Sequence, residues 1–208
     1  MQTQHAQSKQ TTSLPTIILG STSVFRKQLL EKLHLPFTQM APNIDEHPLE
    51  NETPQNMVSR LSKSKAEEIA QHKPNSIIIA SDQTAVFDNR PIGKPLTFDK
   101  AVAQLQDFSG QVITFYTGLV VINTATQQTF EAMDITKVHF RTLSQEVIEN
   151  YITIEQPLHC AGSFKSEGLG ITLFKKIESI DPNALIGLPL IELTNIFYKM
   201  GYPLPFKA

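Results

Sequence analysis

The sequence predicts an α/β fold in which helices flank a mixed, twisted sheet and two lobes surround a central cleft. In the first half of the chain, short apolar runs alternate with segments of helical periodicity, which is typical of βα units. After residue 111, two long β-rich segments are joined by a turn-like stretch, which indicates antiparallel strands. The 208 residues are 40% hydrophobic, which is enough for one sizeable core or for one core split into two lobes around a cleft.

The first βα unit carries the features of an anion site. Residues 16–20 predict a buried strand, and residues 23–34 predict a helix. Between them stand Gly20 and three hydroxyl residues, followed by Arg26 and Lys27. The N–H groups and the dipole of a helix N-terminus favour an anion, and two cations one turn later add charge-assisted contacts. An ordinary helix cap with a solvated basic face explains the same residues about equally well. A Walker A loop is excluded, because its spaced glycines and its Gly-Lys-Ser/Thr ending are absent.

An acidic loop separates this unit from the second helix. Residues 37–40 predict a short strand, and residues 41–53 predict a loop that contains Asp45-Glu46. Hard cations take carboxylate oxygens, so this pair is a candidate for holding a divalent metal beside a phosphate. An acidic loop pair is more often simply solvated. Thr53-Pro54 predicts the N-cap and the first position of a helix that runs to about residue 71.

Two further lysines are candidate phosphate ligands. In the second helix, Met57, Leu61 and Ile69 mark an apolar stripe, and Lys65 is expected on another face. Lys65 is therefore either a phosphate ligand or an exposed helix lysine, and its position in the sequence alone favours the exposed lysine. Lys94 stands between glycine and proline in a tight loop, which positions a side chain at little entropic cost. A surface turn lysine is the alternative for Lys94.

The strongest strand signal ends in a carboxylate. Residues 76–80 form a continuous apolar run, typical of a central strand covered on both faces. The run is followed directly by Ser81, Asp82 and Gln83. Ligands of open α/β sheets bind at the carboxyl ends of the strands. A carboxylate at that edge is costly unless it binds a cation, a metal or a proton to be moved, so Asp82 is a candidate site residue. The alternative is that Asp82 caps a turn.

The second half of the chain predicts strands, helices and one glycine-rich loop. The predicted elements are a helix at 98–108, strands at 112–122 and 130–140, a helix at 144–154 and a last helix at 188–200. The polar loop at 160–170 contains three glycines and resembles a close backbone approach to a ligand, with Glu167 placed to accept hydrogen bonds from a base. A metal or thiol site at His159 and Cys160 is disfavoured, because His159 lacks a spaced histidine partner and Cys160 has apolar neighbours.

Composition and charge exclude several classes of function. A net charge of −2 gives no electrostatic basis for binding nucleic acid or a membrane surface. No apolar run approaches the roughly 18–20 residues of a membrane span. The single cysteine excludes an intrachain disulfide and fits a reducing cytoplasm. The polar first residues lack the apolar core of a signal peptide, so residues 1–14 are expected to form a disordered tail before a single domain at 15–208.

Several segments together resemble the Maf family of nucleoside triphosphate pyrophosphatases, which have an inosine-triphosphatase-like fold. The resemblance runs from about Ile17 to Tyr202. It rests on the acidic pair Asp45-Glu46 and on GSTSVFRKQLL, SKSKAEEIA, IIIASDQTA, IGKP, FYTGL and HCAGSFKSEGLGITLF. The segments SDQ and HCAGSFKSEG further resemble the subgroup that prefers 7-methyl-GTP. The dTTP/UTP subgroup instead has Asp-Thr after the strand and Gln-Gly in the late loop.

The resemblance implies hydrolysis between the α- and β-phosphates of a small nucleotide, giving a nucleoside monophosphate and pyrophosphate. Asp82 is then the general base that activates water. The resemblance also implies a divalent metal, Mg²⁺ or Mn²⁺, held by Glu46 and Asp82, and a homodimer. The other positions carried over are the phosphate-binding residues Ser21, Ser23, Arg26, Lys27, Lys65 and Lys94 and the substrate-selecting residues Phe25, Gln83 and Glu167.

One departure from the family pattern suits a methylated guanine. Many family members have Pro-Arg where this chain has Val24-Phe25. N7-methylation makes the guanine ring cationic, and an aromatic ring stacked on it contributes about 0.5–2 kcal/mol, whereas an arginine would repel it. Glu167 can pair with that charge and accept from the guanine N1–H and N2–H₂ edge. Two alternatives stay open: a dTTP or UTP pyrophosphatase of the same family, and a nucleotide-binding regulator of septum formation without catalysis.

Overall fold

The computed structural model describes residues 14–205 and confirms the predicted α/β class. Of the predicted disordered tail at residues 1–14, only Leu14 lies inside the described part, where it packs against a buried apolar cluster. Within that part, in chain order, the strands and α-helices are β1 (Thr16–Gly20), α1 (Val24–Glu31), β2 (Phe37–Met40), α2 (Pro54–Ala70), β3 (Ser76–Phe87), β4 (Arg90–Ile92), α3 (Phe98–Phe108), β5 (Val112–Asn123), β6 (Gln128–Phe140), α4 (Gln145–Glu155), β7 (Phe174–Glu178) and α5 (Leu190–Lys199). None of these helices combines the length and apolar character that crossing a membrane requires.

The sheet is mixed, and its strand order places a ligand-binding edge beside β1. The order is β2-β1-β3-β5-β6-β7, with the short β4 paired to β3. β1 is parallel to β2 and β3, whereas the β3–β5, β5–β6 and β6–β7 pairs are antiparallel. The chain leaves β1 toward β2 on one side and then crosses to β3 on the other. Such a reversal opens a crevice at the carboxyl ends of the strands, where ligands of α/β sheets bind.

β3 extends past the end of β1 and carries two predicted site residues into that crevice. β1 pairs with β3 only as far as Ile79, whereas β3 continues to Phe87. Asp82 and Gln83 therefore lie beyond the parallel part of the sheet. Because successive side chains of a strand point to opposite faces, Asp82 contacts α2 and Gln83 contacts the segment that precedes α5.

Buried apolar clusters define the two predicted lobes. In the first lobe, one cluster lies between the sheet and helices α1 and α5, and another lies between the sheet and α2. The cluster of the second lobe joins α3, α4 and β7 to the start of β5 and the end of β6. Its aromatic centre has the Phe174 ring 5.1 Å from that of Phe140 and 4.9 Å from that of Phe164, edge to face, which is a favoured geometry. β3 and β5 contribute to both lobes and so fix the cleft between them.

Capping residues set the helix starts largely as predicted. Thr53 and Ser144 each accept a hydrogen bond from a backbone N–H three residues later. α5 begins two residues later than predicted, because Pro189 takes the N-cap position with an extended backbone. α1 ends at Glu31, earlier than predicted, and the positive φ of 52° at His34 is incompatible with a continuing helix.

One face of α2 packs against the sheet, and Lys65 lies on that face. The buried residues of this helix are Val58, Leu61, Ser62, Lys65, Ala66 and Ile69. The prediction that Lys65 lies on a different face from Leu61 and Ile69 is wrong. These three positions are four residues apart and so lie above one another along the helix, and Lys65 is only 6% exposed. A lysine this buried requires a charged partner, which β3 supplies.

Gly118 allows α2 to approach β5 closely. A Cβ at Gly118 would lie 2.5 Å from Ser62 Oγ and 2.9 Å from Val58 Cγ1, both on α2. We expect Gly118→Ala to displace α2 and to lower the free energy of unfolding by about 1–3 kcal/mol, the usual cost of overpacking. Urea unfolding measures this loss. Gly93→Ala is the matched control, because a Cβ at Gly93 meets no atom within 4 Å. Equal losses in the two variants would contradict the close approach.

Candidate active site

The cleft between the lobes has a volume of about 570 Å³ and brings together nearly all of the predicted site residues. Those that line it are Ser21, Ser23, Phe25, Arg26, Glu46, Lys65, Asp82, Gln83, Lys94 and Glu167. Lys27 is not part of the lining. Its Nζ lies 3.6 Å from Glu31 Oε1 on the exposed side of α1. Phosphate binding by Lys27 therefore stays a prediction.

The turn between β1 and α1 forms one end of the cleft. Ser23 accepts a hydrogen bond from the backbone N–H of Arg26 at 3.3 Å and caps α1. The Ser21 hydroxyl accepts from the backbone N–H of Ser23 at 3.1 Å. The cap explanation is therefore correct for Ser23, and it is compatible with an anion site. The capped N-terminus lies in the cleft wall, where its dipole favours negative charge.

Arg26 is held in the cleft wall by one partner far away in the sequence and one nearby. Its Nε donates to the carbonyl of Gly187 at 3.0 Å, and its Nη1 lies 3.5 Å from Ser21 Oγ. Burial lowers the pKa of the Arg26 guanidinium, and the charges of Asp82 and Glu46 oppose that effect. The guanidinium therefore stays a cation whose position is fixed before any ligand arrives. Such a group suits a phosphate.

Asp82 forms the acidic centre of the cleft. It is 9% exposed, and its Oδ1 lies 2.6 Å from Lys65 Nζ. The same Nζ lies 3.0 Å from Glu46 Oε1, so Lys65 links the two carboxylates. The backbone N–H of Asp82 donates to Ser62 Oγ on α2 at 2.9 Å, which fixes the strand against the helix. Removing one partner of a buried ion pair leaves an uncompensated charge, so these side chains depend on one another.

The structure separates the two members of the acidic pair Asp45-Glu46. Glu46 lines the cleft and contacts Lys65. Asp45 is exposed and accepts a hydrogen bond from the backbone N–H of His47 at 2.9 Å. Hydrogen bonds from His47 lower the pKa of the Asp45 carboxyl. Asp45 therefore caps a local turn and does not face the cleft.

Aromatic rings and a further carboxylate also belong to the site. Phe25 and Glu167 line the cleft, as predicted. Phe115 and Phe164 also line it, and the sequence analysis did not identify them. Phe115 lies on β5 and Phe164 lies within the glycine-rich loop, so their approach depends on packing between distant segments. No local pattern in the sequence indicates that approach.

Glu155, at the end of α4, anchors the loop that carries Glu167. Its carboxylate accepts from the backbone N–H of Leu169 at 2.8 Å and pairs with Lys165 Nζ at 3.1 Å. The Leu169 hydrogen bond is the main reason that the pKa of Glu155 is lowered. The Lys165 backbone N–H in turn donates to the Tyr151 hydroxyl at 3.0 Å. Glu167 itself is exposed on an otherwise well anchored loop.

His159 and Cys160 line the cleft without forming a second catalytic centre. Burial raises the pKa of the Cys160 thiol, so the thiol stays protonated near neutral pH and is a poor nucleophile. Among residues 14–205, no three or more histidine, cysteine or acidic side chains are grouped so that they could hold a metal ion. The raised pKa of Cys160 agrees with the low rank that the sequence analysis gave to a thiol nucleophile at this position.

Comparison with known proteins identifies the family. A family model described as "Maf-like protein" matches residues 16–200. The 7-methyl-GTP pyrophosphatase of Hydrogenovibrio crunogenus is 57% identical over 196 residues, covering 94% of this chain and 98% of that one. Proteins of the same name from Vibrio cholerae and Colwellia psychrerythraea are 54% and 53% identical, over 89% and 90% of this chain and 95% and 94% of theirs.

Two solved structures also match. The Ham1 protein of Staphylococcus aureus is 13% identical, with a TM-score of 0.43 over 61% of this chain and 72% of that one. A protein of Vibrio cholerae is 11% identical, with a TM-score of 0.47 over 92% of this chain and 94% of that one. At these scores neither structure adds to the assignment, which rests on the family model and on the sequence relatives. The predicted family is confirmed: the chain belongs to the Maf family.

Proposed function

We propose that this protein is a nucleoside triphosphate pyrophosphatase that hydrolyses the α–β phosphoanhydride of 7-methyl-GTP to 7-methyl-GMP and pyrophosphate. One observation carries the proposal. A carboxylate, Asp82, lies in a cleft that is also lined by the cations Arg26 and Lys65, by aromatic rings and by further acidic side chains. Such a cleft suits a nucleotide with its triphosphate toward Arg26 and its base toward Phe25 and Glu167. Relatives that are 51–57% identical bear the name of this activity.

The protein groups supply base catalysis and charge neutralisation. Asp82 accepts a proton from the water that attacks phosphorus. The contact with Lys65 Nζ at 2.6 Å keeps one Asp82 oxygen in a fixed place, which leaves the other oxygen for the water. Arg26 and Lys94 neutralise the negative charge that builds on the pyrophosphate leaving group. Because Arg26 is already held by Gly187 and Ser21, this neutralisation requires little rearrangement.

We further propose that Glu46 and Asp82 hold a divalent metal, Mg²⁺ or Mn²⁺. Their Oε1 and Oδ1 atoms lie 3.0 and 2.6 Å from the single Nζ of Lys65, so the two carboxylates lie close to each other in the cleft. One or two carboxylates together with substrate phosphate oxygens are a common ligand set for Mg²⁺. When bound, such a metal neutralises phosphate charge and orients the triphosphate. The residues present therefore fit the cofactor that the family resemblance implies.

The base end of the cleft favours a cationic purine. Phe25 offers an aromatic face for stacking, and Glu167 offers a carboxylate for the positive charge and the N–H edge of methylguanine. A neutral pyrimidine offers a smaller stacking surface, and its N3–H can donate to the carboxylate but brings no positive charge to pair with it. This difference separates the proposal from a dTTP or UTP pyrophosphatase. The predicted cytoplasmic location, the homodimer and the lack of nucleic-acid binding stay predictions.

Product analysis distinguishes the proposal from a regulator without catalysis. Incubating the wild-type protein with 7-methyl-GTP and Mg²⁺ or Mn²⁺ is expected to release 7-methyl-GMP and pyrophosphate in equal amounts. Excess chelator is expected to abolish that release, because the two carboxylates then have no metal to share with the phosphates. Chromatography of the nucleotide products measures both. Release of phosphate and 7-methyl-GDP would contradict the assigned bond, and binding without any product would favour the regulator.

A further inference from the structure

The amide of Gln83 has only one orientation that its neighbours allow. One end of the amide lies 2.8 Å from the carbonyl oxygen of Ala184, 3.1 Å from that of Leu185 and 2.9 Å from Thr117 Oγ1. Backbone carbonyls only accept hydrogen bonds, so this end must be the NH₂ group. Placing the amide oxygen there would oppose two carbonyl oxygens without a proton between them. The orientation therefore follows from the neighbouring acceptors rather than from a choice of rotamer.

Thr117 completes this arrangement across the strand pair. Gln83 and Thr117 are directly opposite each other in the β3–β5 ladder, so their side chains share one face of the sheet. The Thr117 hydroxyl donates its single proton to the carbonyl of Ala184 at 3.0 Å. Its oxygen is thereby left to accept from the Gln83 NH₂ group. Thr117 is completely buried, so water does not substitute for its hydroxyl.

The opposite end of the Gln83 amide is an acceptor that belongs to the cleft. Gln83 lines the cleft, and its Oε1 makes no hydrogen bond to any residue within 14–205. With both amide protons committed to Thr117 and the two carbonyls, the side chain offers the cleft an oxygen and no donor. A ligand that meets this oxygen must therefore bring an N–H or O–H group. The N–H edge of methylguanine provides such a donor.

We propose that Thr117 is a positioning residue, which fixes the Gln83 amide so that the cleft presents a hydrogen-bond acceptor to an N–H donor of the substrate base. The inference rests on the proposed function in one respect, namely that the substrate base lies in the cleft beside Gln83. It assigns Thr117 no contact with the substrate. Loss of its hydroxyl removes one of the three acceptors around the Gln83 NH₂ group and leaves the amide held only by the carbonyls of Ala184 and Leu185, which loosens the amide and misplaces Oε1.

A binding cycle with 7-methyl-GMP tests this role without metal or turnover. Thr117→Val is expected to weaken binding roughly fivefold to tenfold, the usual effect of one lost buried hydrogen bond. Thr117→Ser restores the hydroxyl and is expected to bind within about twofold of wild type. In the Gln83→Ala variant, adding Thr117→Val is expected to change the dissociation constant of 7-methyl-GMP by less than about twofold, because the side chain that Thr117 positions is gone. Isothermal titration calorimetry gives the five dissociation constants, for the wild type, the three single variants and the double variant.

Three outcomes would overturn the inference. These are unchanged binding by Thr117→Val, equal weakening of binding in the wild-type and Gln83→Ala backgrounds, and no binding of 7-methyl-GMP by the wild type at millimolar concentration. Thermal unfolding checks that each variant is folded, and Thr117→Ala replaces Thr117→Val if the valine variant does not fold. If the wild type binds 7-methyl-GMP but releases no pyrophosphate from 7-methyl-GTP, the proposed function is wrong. The test of Thr117 remains valid in that case, because it measures binding alone.

Discussion

Asp82→Asn is expected to abolish pyrophosphate release from 7-methyl-GTP while leaving nucleotide binding nearly intact. Asparagine has the shape of aspartate and keeps an oxygen for Lys65 Nζ, which lies 2.6 Å from Asp82 Oδ1, but it does not accept a proton from water. We expect kcat to fall by at least about a thousandfold, within the range reported for loss of a general base. We expect the dissociation constant of the nucleotide to change by less than about tenfold, because Arg26 and Phe25 are unaffected.

Asp45→Asn is the matched control for this variant. It makes the same chemical change in the acidic loop, at an exposed carboxylate that does not line the cleft. Its kcat is expected to equal that of the wild type. Steady-state turnover and equilibrium binding, measured on both variants, separate a loss of chemistry from a loss of affinity. Near-wild-type turnover by Asp82→Asn would remove Asp82 from the role of base.

Phe25→Arg is expected to remove the preference for methylated over unmethylated guanine. Phe25 lines the cleft, and stacking of an aromatic ring on a cation contributes about 0.5–2 kcal/mol, which is roughly a twofold to thirtyfold preference. An arginine at the same position loses that attraction and adds a repulsion between two cations. We therefore expect the ratio of kcat/KM for 7-methyl-GTP to that for GTP to fall to about one or below it.

Phe25→Tyr provides the control, because it keeps an aromatic face and leaves the charge unchanged. It is expected to retain the wild-type ratio of the two kcat/KM values. Comparing 7-methyl-GTP with GTP isolates the effect of N7-methylation, since the two substrates differ only in the methyl group and the positive charge that it creates. If Phe25→Arg preserved the preference for the methylated nucleotide, the assignment of Phe25 to base selection would be wrong.

The order of the elements was predictable because it depends on local signals. Apolar runs of strand length mark β1 and β3, and Thr53 and Ser144 cap helices with their own side chains. The acidic and basic site residues were predictable for a different reason. They stand at the ends of strands and in turns, where the chain of an α/β sheet meets its ligand, and they match the motifs of a known family.

Contacts between distant segments were not predictable from the sequence. Lys65 was assigned to the wrong face of α2, because a charged residue within an apolar stripe is recognisable only when its partner Asp82 is known to face it. The contact of Gln83 with Thr117 depends on strand register, and its contacts with Ala184 and Leu185 join residues about a hundred positions apart. Such packing contacts leave no local pattern, so only the three-dimensional arrangement reveals them.

The preference between 7-methyl-GTP and dTTP tests the central claim most directly. Both nucleotides carry the same triphosphate, so the phosphate end of the cleft treats them alike and only the base end distinguishes them. We predict that the wild-type kcat/KM for 7-methyl-GTP exceeds that for dTTP by at least about tenfold, with pyrophosphate as the product in each case. An equal or higher kcat/KM for dTTP would contradict a cleft built around Phe25 and Glu167 for a cationic purine.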